Sequence, residues 1–340
     1  FMKQGHEVEI YTFTLQYPSF LFPGKTQFSD DEAPADLKIN RKINSVNPLN
    51  WVSVGKEIKA KKPDKIIYCY WMAFMAPCFG TIARFAKSST TKSIALVHNM
   101  IPHEPTVLDK LFPRYFVKAM DGFVAMTASV VEDINKFDNK NKPKLVSPHP
   151  IYDHYGAITP RSEALDALDL DPAFRYVLFF GFIRKYKGLD LLMEAFADVR
   201  LRQYPVKLLV AGEFYEPKEP CFEMIRKYAL EDLVVLHTDF IPEKEVAFYF
   251  NAADMVAQPY RSATQSGVSQ IAYHFEKPML VTNVGGLAET VPHGKVGYVV
   301  EPEVSKIADA LVDFFENNRS AKFIENLKEE KKKYDWKLTV

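Results

Sequence analysis

The chain has 340 residues, a length that accommodates about two domains of ordinary size. Apolar residues make up 47% and aromatic residues 14%, which is enough for a large buried core, and no apolar run reaches the roughly 20 residues that a bilayer-spanning helix needs. The 43 basic and 43 acidic side chains balance, and nothing in their order suggests a groove for nucleic acid.

The zero net charge conceals an asymmetry between the two halves of the chain. Residues 1–150 hold 20 Lys and Arg against 14 Asp and Glu, a net charge of +6, and the remainder holds 23 against 29, a net charge of −6. A basic first half would suit an anionic membrane surface or an anionic acceptor, with chance scatter as the alternative.

Three cysteines, Cys69, Cys78 and Cys221, lie far apart and form no CxxC or Cys/His cluster. This spacing predicts reduced thiols and argues against a structural zinc site, as is typical of a cytoplasmic protein. We therefore expect a cytoplasmic location, with peripheral contact at the inner face of the cell membrane as an option for the basic half.

The first half alternates between predicted strands and helices. Residues 1–6 resemble the last turn of a helix that ends at Gly5, and residues 7–13 alternate like a strand. Because an α/β domain rarely begins in the middle of a unit, we expect a strand, a loop and most of a helix before Phe1, so that the first domain is truncated at its N-terminus. After a loop over 18–34, we predict a helix over 49–62 with Asn50 as a cap, a strand over 65–70, a helix over 72–87, a strand over 93–99, a helix over 109–120, a strand over 122–126, a helix that Ser129 caps and that runs to Phe137, and a strand over 144–147.

This spacing predicts βαβ units and a mostly parallel sheet, and therefore an α/β fold. Ligands of such sheets lie beyond the carboxyl ends of the strands. The strand that ends near His98 and Asn99 is followed by Pro102, His103 and Glu104. Two histidines and a carboxylate so close to a strand end favour a functional site over a purely structural histidine.

Prolines and a glycine punctuate residues 148–160, which predicts a linker between a first domain over 1–150 and a second over 151–340. The second half then repeats the alternation. We predict strands over 176–180, 206–211, 233–237, 254–258, 278–282 and 298–300, helices over 189–203, 222–230, 242–251, 267–275, 305–317 and 321–333, and a turn with a short helix over 285–291.

A cationic loop joins the first strand of the second half to its first helix. Gly181 ends the strand, the loop carries Arg184, Lys185 and Lys187, and Gly188 opens the helix. The free N–H groups and partial positive charge of a helix start, together with these cations, form a phosphate-binding arrangement. The alternative is a solvated turn with ordinary surface cations.

Two further loops are expected beside it, because they also follow strands of the same parallel sheet. One is the polar loop over 259–267, which leads into a helix at Gly267, and the other is the segment over 284–289 with its glycine pair. Two helix starts, two cations and a glycine pair around one crevice suit a diphosphate.

On these pieces the sequence resembles the retaining glycosyltransferases of family 4, which have the GT-B fold. The matching segments are GFIRKYKGLDLLMEAF (181–196), LLVAGE (208–213), ADMVAQPY (253–260), SGVSQIAYHFEKPMLVTNVGGLAETV (266–291) and GYVVEP (297–302), and more loosely GHEVEIYT (5–12) and VHNMIPHE (97–104). The resemblance implies two Rossmann-like domains that face each other across a central cleft. The second would bind a nucleotide-diphosphate sugar and the first a glycan or lipid-linked acceptor. Transfer would retain the configuration of the sugar and would need neither a divalent metal nor a cofactor.

Within the matching segments, Lys187 falls on the family lysine that contacts the donor phosphates. The family arginine stands at the position of Phe182 here, and Arg184, two residues later, is expected to take its part. Residues 285–289 match the family motif GGxxE. The residues that the resemblance assigns to the donor are Gly181, Gly188, Gly212, Gln265, Ser266, Gly267, Gln270, Gly285, Gly286 and Glu289.

The paired glutamates of the family are missing. Counted back from Pro278 without gaps, their places are held by Ala263 and Ile271, neither of which is acidic. Gln265 and Gln270 lie close by, and a glutamine hydrogen-bonds ribose or sugar hydroxyls but cannot act as an acid or base. Either this subgroup binds its donor through amides or the protein has lost activity; the cationic loop and the polar edge at His98 together favour activity.

The mechanism that the resemblance implies assigns Arg184 and Lys187 to the leaving diphosphate, on which negative charge builds. His98 would hold the sugar or the acceptor. Asn99, His103 and Glu104 are expected to bind or orient the acceptor.

Three alternatives belong to other classes of protein. A nucleotide-sugar-binding protein without catalysis would explain the missing glutamates. An NAD-dependent enzyme is disfavoured because no GxGxxG follows a strand. A sugar epimerase on the same scaffold would require acid and base carboxylates, which these loops lack.

Overall fold

The structure is a computed structural model that describes residues 1–18, 34, 36–101 and 108–339. The chain forms two compact units, Phe1–Ser147 and Pro148–Thr339. The strands of each described sheet are parallel and alternate with helices, so the chain has the α/β fold that its sequence predicts. Within the described ranges, no helix is both long and apolar enough to cross a membrane.

The first unit holds two parallel sheets. One pairs β1 (Glu9–Leu15) with β2 (Lys38–Asn44), and the other has the order β3 (Lys65–Tyr70), β4 (Lys92–Val97), β5 (Gly122–Ala125) and β6 (Lys144–Val146). Its helices are α1 (Pro48–Lys61), α2 (Ala76–Ala86), α3 (Leu108–Ala119) and α4 (Ala128–Asn135). Alternation along β3 buries Tyr70 against Phe116, with ring centroids 4.4 Å apart, and leaves Ile67 exposed.

The sequence does not predict β2. Its seven residues carry only two apolar side chains, Ile39 and Ile43, of which only Ile43 is buried. The strand forms because its backbone pairs with β1, from Glu9↔Lys38 to Leu15↔Asn44. Such pairing leaves little mark in the pattern of apolar residues.

Two helix caps lie elsewhere than the sequence predicts. Asn47 caps α1 by accepting from two N–H groups of the first turn, whereas Asn50 lies within the helix and bonds the backbone of β2. Thr127 caps α4, and Ser129 lies inside the first turn of that helix. Both predictions were wrong because several polar residues stand close together, and the end of the preceding loop or strand decides which of them reaches the cap position.

The second unit contains one six-stranded parallel sheet. Its strands are β7 (Arg175–Phe180), β8 (Val206–Ala211), β9 (Val234–His237), β10 (Met255–Gln258), β11 (Met279–Thr282) and β12 (Gly297–Val300). Across the sheet their order is β12-β11-β10-β7-β8-β9. The chain therefore winds in one direction from β7 to β9 and in the other from β10 to β12. This is the Rossmann order, and its switch point lies between β7 and β10.

Helices cover both faces of this sheet. α6 (Leu189–Phe196), α7 (Glu219–Lys227) and α10 (Val304–Glu316) pack on the face with Val177 and Phe179. α5 (Arg161–Ala167), α8 (Val246–Ala252) and α9 (Gly267–His274) pack on the face with Tyr176 and Leu178. α11 (Ser320–Glu330) and α12 (Trp336–Thr339) complete the unit. Because both faces are covered, the central strands are continuous apolar runs, which is why the sequence predicts them well.

The predicted helix over 189–203 is wrong in its second half. α6 ends at Phe196, and a separate 3-10 turn covers Val199–Gln203, where the Asp198 carboxylate accepts from the Arg200 N–H at 2.9 Å. The sequence also does not predict α5.

The two hydroxyls near the start of α4 allow a direct test of the cap. Thr127→Ala is expected to lower the free energy of unfolding by about 1 kcal/mol, because an N–H of the first turn loses its acceptor. Ser129→Ala is the matched control and should change it by less than about 0.5 kcal/mol. The bond between the two hydroxyls, 2.9 Å long, is lost in both variants and therefore cancels in the difference. Urea unfolding followed by circular dichroism measures both, and equal losses would contradict the assignment.

Candidate functional site

The site lies in the second unit, where β7 and β10 are neighbours although three helices and two strands separate them along the chain. Their loops leave the carboxyl edge of the sheet side by side. A crevice at such a switch point is the usual ligand site of a doubly wound sheet.

The loop after β7 packs directly on the loop after β10. Gly188 has a left-handed backbone with φ +68°, and a Cβ there would lie 2.0 Å from the carbonyl oxygen of Pro259. Only glycine permits this approach without a rearrangement. The Arg261 N–H donates to the Tyr186 carbonyl at 2.6 Å, which joins the two loops a second time.

The segment after β11 packs on the same loop in the same way. Gly285 has φ +47°, and a Cβ there would lie 1.8 Å from the carbonyl oxygen of Ala263. The Thr282 hydroxyl donates to the Tyr260 carbonyl at 2.5 Å. The three loops that the sequence singles out therefore form one continuous surface at the carboxyl edge of the sheet.

Lys187 is the most unusual charge on this surface, because it is only 9% exposed. Its Nζ lies against Gly181, where a Cβ would be 2.8 Å away, and 5.6 Å from the centroid of the Tyr260 ring. Burial lowers the pKa of Lys187, and the nearby charge of Arg184 lowers it further. Among the described residues, none of the ion pairs within 4.0 Å includes Lys187. A buried ammonium without a carboxylate is costly, and an anion beside it would remove that cost.

The two arginines of these loops differ in what holds them. Arg261 forms a double ion pair with Asp190, with N–O distances of 2.6 and 2.8 Å, so its charge is neutralised within the protein. Arg184 is exposed, and its guanidinium lies 5.0 Å from the ring centroid of Tyr215. Of these two arginines, only Arg184 therefore remains available to an anion. Sequence reasoning identified neither Asp190 nor Tyr215 as a partner.

The start of α9 carries the glutamines that the sequence singles out. Gln270 is only 2% exposed, and its side-chain carbonyl oxygen has no hydrogen-bond partner within the described part of the chain. Gln265 and Ser266 are half-buried just before the helix, and the Ser266 hydroxyl lies 3.4 Å from that of Tyr260. A buried amide oxygen of this kind can accept a hydrogen bond from a hydroxyl group.

The positions of the two missing glutamates are part of the apolar core. Ala263 is 7% exposed and Ile271 is 4% exposed, and both belong to the cluster on the α9 face of the sheet.

The remaining predicted donor residues lie at the same edge. Gly212 approaches Gly181 so closely that a Cβ on Gly212 would lie 2.5 Å from the Gly181 carbonyl oxygen. Gly286 is buried and Glu289 exposed in the 3-10 segment Gly285–Thr290. The ring of Tyr152, which sequence reasoning missed, lies against Gly267 at the first turn of α9, 2.9 Å from where a Cβ would stand.

The candidate acceptor residues belong to the first unit. His98 and Asn99 are half-buried just beyond the carboxyl end of β4, and the His98 N–H donates to the Tyr70 carbonyl at 2.8 Å. His103 and Glu104, together with Pro102, lie outside the described residues. Within the described part of the chain, no three His, Cys, Asp or Glu side chains are grouped so that they could hold a metal ion.

The chain is similar to known glycosyltransferases. The family model described as glycosyl transferases group 1 matches residues 161–334. A D-inositol 3-phosphate glycosyltransferase of Pseudarthrobacter chlorophenolicus is 32% identical over 143 residues, which are 42% of this chain and 34% of that protein. An uncharacterized glycosyltransferase of Methanocaldococcus jannaschii is 22% identical over 297 residues, 86% of this chain and 77% of that protein. The chain spans 34% and 45% of the length of two D-inositol 3-phosphate glycosyltransferases that it matches.

Solved structures share the fold over most of the chain. Sucrose-phosphate synthase of Thermosynechococcus elongatus superposes with a TM-score of 0.76 at 16% identity, over 97% of this chain and 86% of that one. Anabaena HepE in complex with UDP superposes with a TM-score of 0.71 at 16% identity, over 88% and 82% of the two chains. At these identities the likeness shows the fold, which is GT-B, as the sequence resemblance predicts.

Two glycine variants separate the energetic cost of a side chain at the close approach of Gly188 from the cost of its left-handed backbone. Gly294→Ala changes a residue with nearly the same φ, +71°, but with open space around it, and is expected to cost about 1–2 kcal/mol of unfolding free energy. Gly188→Ala should cost clearly more, because the Pro259 carbonyl must also move. Urea unfolding of both variants gives the comparison. Equal costs would mean that the two loops do not pack as described.

Proposed function

The chain belongs to the glycosyl transferases group 1 family, and on that premise we propose that it transfers a sugar from a nucleotide-diphosphate sugar to a hydroxyl of a glycan or lipid-linked acceptor. In this proposal the sugar keeps its anomeric configuration, and neither a divalent metal nor a cofactor takes part.

The observation that carries the proposal is the buried Lys187 ammonium. It lies at the switch point of the sheet with Arg184 near enough to affect its pKa, and no ion pair of the described chain neutralises it. A diphosphate would supply the missing negative charge, and the N–H groups at the start of α9 would add donors. UDP, which Anabaena HepE binds in its solved structure, is the first nucleotide to test.

In the proposed mechanism the bond from the anomeric carbon to the diphosphate oxygen breaks, and negative charge builds on the leaving group. Lys187 and Arg184 stabilise that charge, an effect of about 3–4 kcal/mol for each lost donor in comparable sites. The acceptor hydroxyl forms the new bond from the same face of the oxocarbenium-like sugar. Its proton passes to the leaving diphosphate.

Amides take the place of the family glutamates in this proposal. The carbonyl oxygen of Gln270 is buried and accepts from a hydroxyl of the donor, and Gln265 and Ser266 lie on the same approach to α9. His98 and Asn99 of the first unit, with His103 and Glu104, are the proposed contacts to the sugar or the acceptor.

The second candidate is a nucleotide-sugar-binding protein without catalysis, which the burial of Ala263 and Ile271 in the core favours. Incubation with a nucleotide-sugar and a panel of glycan and lipid-linked acceptors, with EDTA present, separates the two. A glycosylated product whose linkage has the anomeric configuration of the donor, read by NMR, would support the enzyme. Binding of the nucleotide-sugar without any product would favour the second candidate.

Loss of Lys187 tests the donor site directly. We expect one of UDP, GDP and ADP to raise the melting temperature of the protein, because a ligand that binds only the folded state stabilises it. Lys187→Ala should abolish that shift. Lys185→Ala removes the same charge from an exposed position two residues away and should retain most of the shift. A full shift in Lys187→Ala would place the donor site elsewhere.

The lowered pKa of Lys187 also predicts how binding depends on pH. A bound diphosphate favours the ammonium form, so its presence raises the pKa of Lys187. Affinity is therefore expected to be highest while free Lys187 is protonated. It should fall as pH rises through the lowered pKa of the free protein towards the ordinary value of 10.5. Calorimetric titration from pH 7 to the ordinary value of 10.5 measures this, and an affinity that does not fall up to that pH would contradict the role of Lys187.

A further inference from the structure

The backbone beyond β7 and β8 extends the pairing of the two strands past their ends. The Gly181 N–H donates to the Ala211 carbonyl at 2.8 Å, the Ile183 N–H to the Glu213 carbonyl at 2.8 Å, and the Tyr215 N–H to the Ile183 carbonyl at 3.1 Å. Residues 181–184 and 212–215 therefore run side by side past the ends of their strands. These hydrogen bonds set the backbone positions from which the side chains of the extension project.

Three side chains on the extension contact one another. The rings of Phe182 and Tyr215 have centroids 4.3 Å apart, and the Arg184 guanidinium carbon lies 5.0 Å from the centroid of the Tyr215 ring. Phe182 is 45% exposed and Tyr215 is 40% exposed, so this aromatic pair stands at the binding edge and not in the core. Phe182 occupies the position at which the resembled family has its arginine.

We propose that Tyr215 is a positioning residue that holds the Arg184 guanidinium beside Lys187 for the donor diphosphate, with Phe182 supporting the Tyr215 ring. This inference rests on the proposed function and adds to it the reason why an arginine two residues from the family position can serve. Phe182 stands at the position of the family arginine, and Tyr215 holds Arg184, which takes the part of that arginine.

An aromatic ring is suited to positioning an arginine because it holds the guanidinium without occupying the N–H donors of that group. The ring attracts the cation through its face, whereas the five N–H donors of an arginine point outwards in the plane of the guanidinium. A carboxylate partner would occupy those donors and neutralise the charge, as Asp190 does for Arg261. Arg184 has no such partner among the described residues, and its planar edge is left for two phosphate oxygens.

The electrostatics of Lys187 support the placement. The charge of Arg184 contributes to the lowered pKa of Lys187, so the two cations influence each other electrostatically. An exposed arginine carries about 2 kcal/mol of rotamer entropy, part of which is lost each time it binds. A ring that confines it beforehand reduces that loss.

A double-mutant cycle tests the proposal with the nucleoside diphosphate that gives the largest shift among UDP, GDP and ADP. Tyr215→Leu is expected to weaken its binding about two- to fivefold, the range for a cation–aromatic contact at an exposed site. Tyr215→Phe keeps the ring and should bind like the unmodified protein. In an Arg184→Ala background, Tyr215→Leu should have no further effect. Isothermal titration calorimetry measures the affinities of all five proteins, including the unmodified one.

The matched control is Tyr228→Leu, which removes a ring from another surface cation–aromatic pair, that of Lys227 on α7, with 4.6 Å between its Nζ and the ring centroid. The affinity of the Tyr228→Leu variant for the nucleoside diphosphate should equal that of the unmodified protein. Tyr215→Leu with unchanged affinity, or with the same loss in the Arg184→Ala background, would overturn the positioning role. Lys187→Ala separates this failure from that of the proposed function, because binding that survives Lys187→Ala refutes the donor site itself.

Discussion

A buried positive charge without a negative partner is the constraint on which this site depends. Lys187 is 91% shielded, yet none of the described carboxylates pairs with it. A folded protein does not normally retain such a group, because desolvation of an ion is repaid only by a counter-charge or by hydrogen bonds. The simplest account is that the counter-charge belongs to the ligand.

Glycines that pack against backbone carbonyls hold together the loops around the Lys187 ammonium. Gly188 and Gly285 bring three loops from three strands into backbone contact, and Gly181 leaves the space that the Lys187 ammonium fills. Loops held in this way do not have to be ordered when a ligand arrives, so less of the binding energy is lost. The Rossmann order of the sheet places these loops together because its winding direction reverses between β7 and β10.

In the proposed site, the chemistry of the family is kept while some of its residues change. The Arg184 guanidinium lies against the Tyr215 ring, and Gln270 has a buried neutral acceptor, whereas Ala263 and Ile271 belong to the core. What the edge retains is two positive charges and hydrogen-bonding groups on adjacent loops. Those properties, and not particular letters of a motif, are what a diphosphate and its sugar require.

The sequence by itself determined the α/β class, most strands of the second unit and the three loops at their carboxyl ends. These features leave local signals: apolar runs between covered faces, and polar or glycine-rich segments at their ends. It did not reveal β2, which forms through pairing with β1, or the choice of Asn47 and Thr127 as caps. These depend on where distant parts of the backbone meet.

Only the tertiary structure decided which charges of the site are available. Lys185 and Lys187 differ by two positions in the sequence, but the fold exposes one and buries the other. Arg261 is neutralised by Asp190, 71 residues away, whereas Arg184 rests on an aromatic ring. Charge availability is set by burial and by partners that are remote along the chain. A pattern of residue types therefore predicts that a phosphate site exists but not which of its cations bind the phosphate.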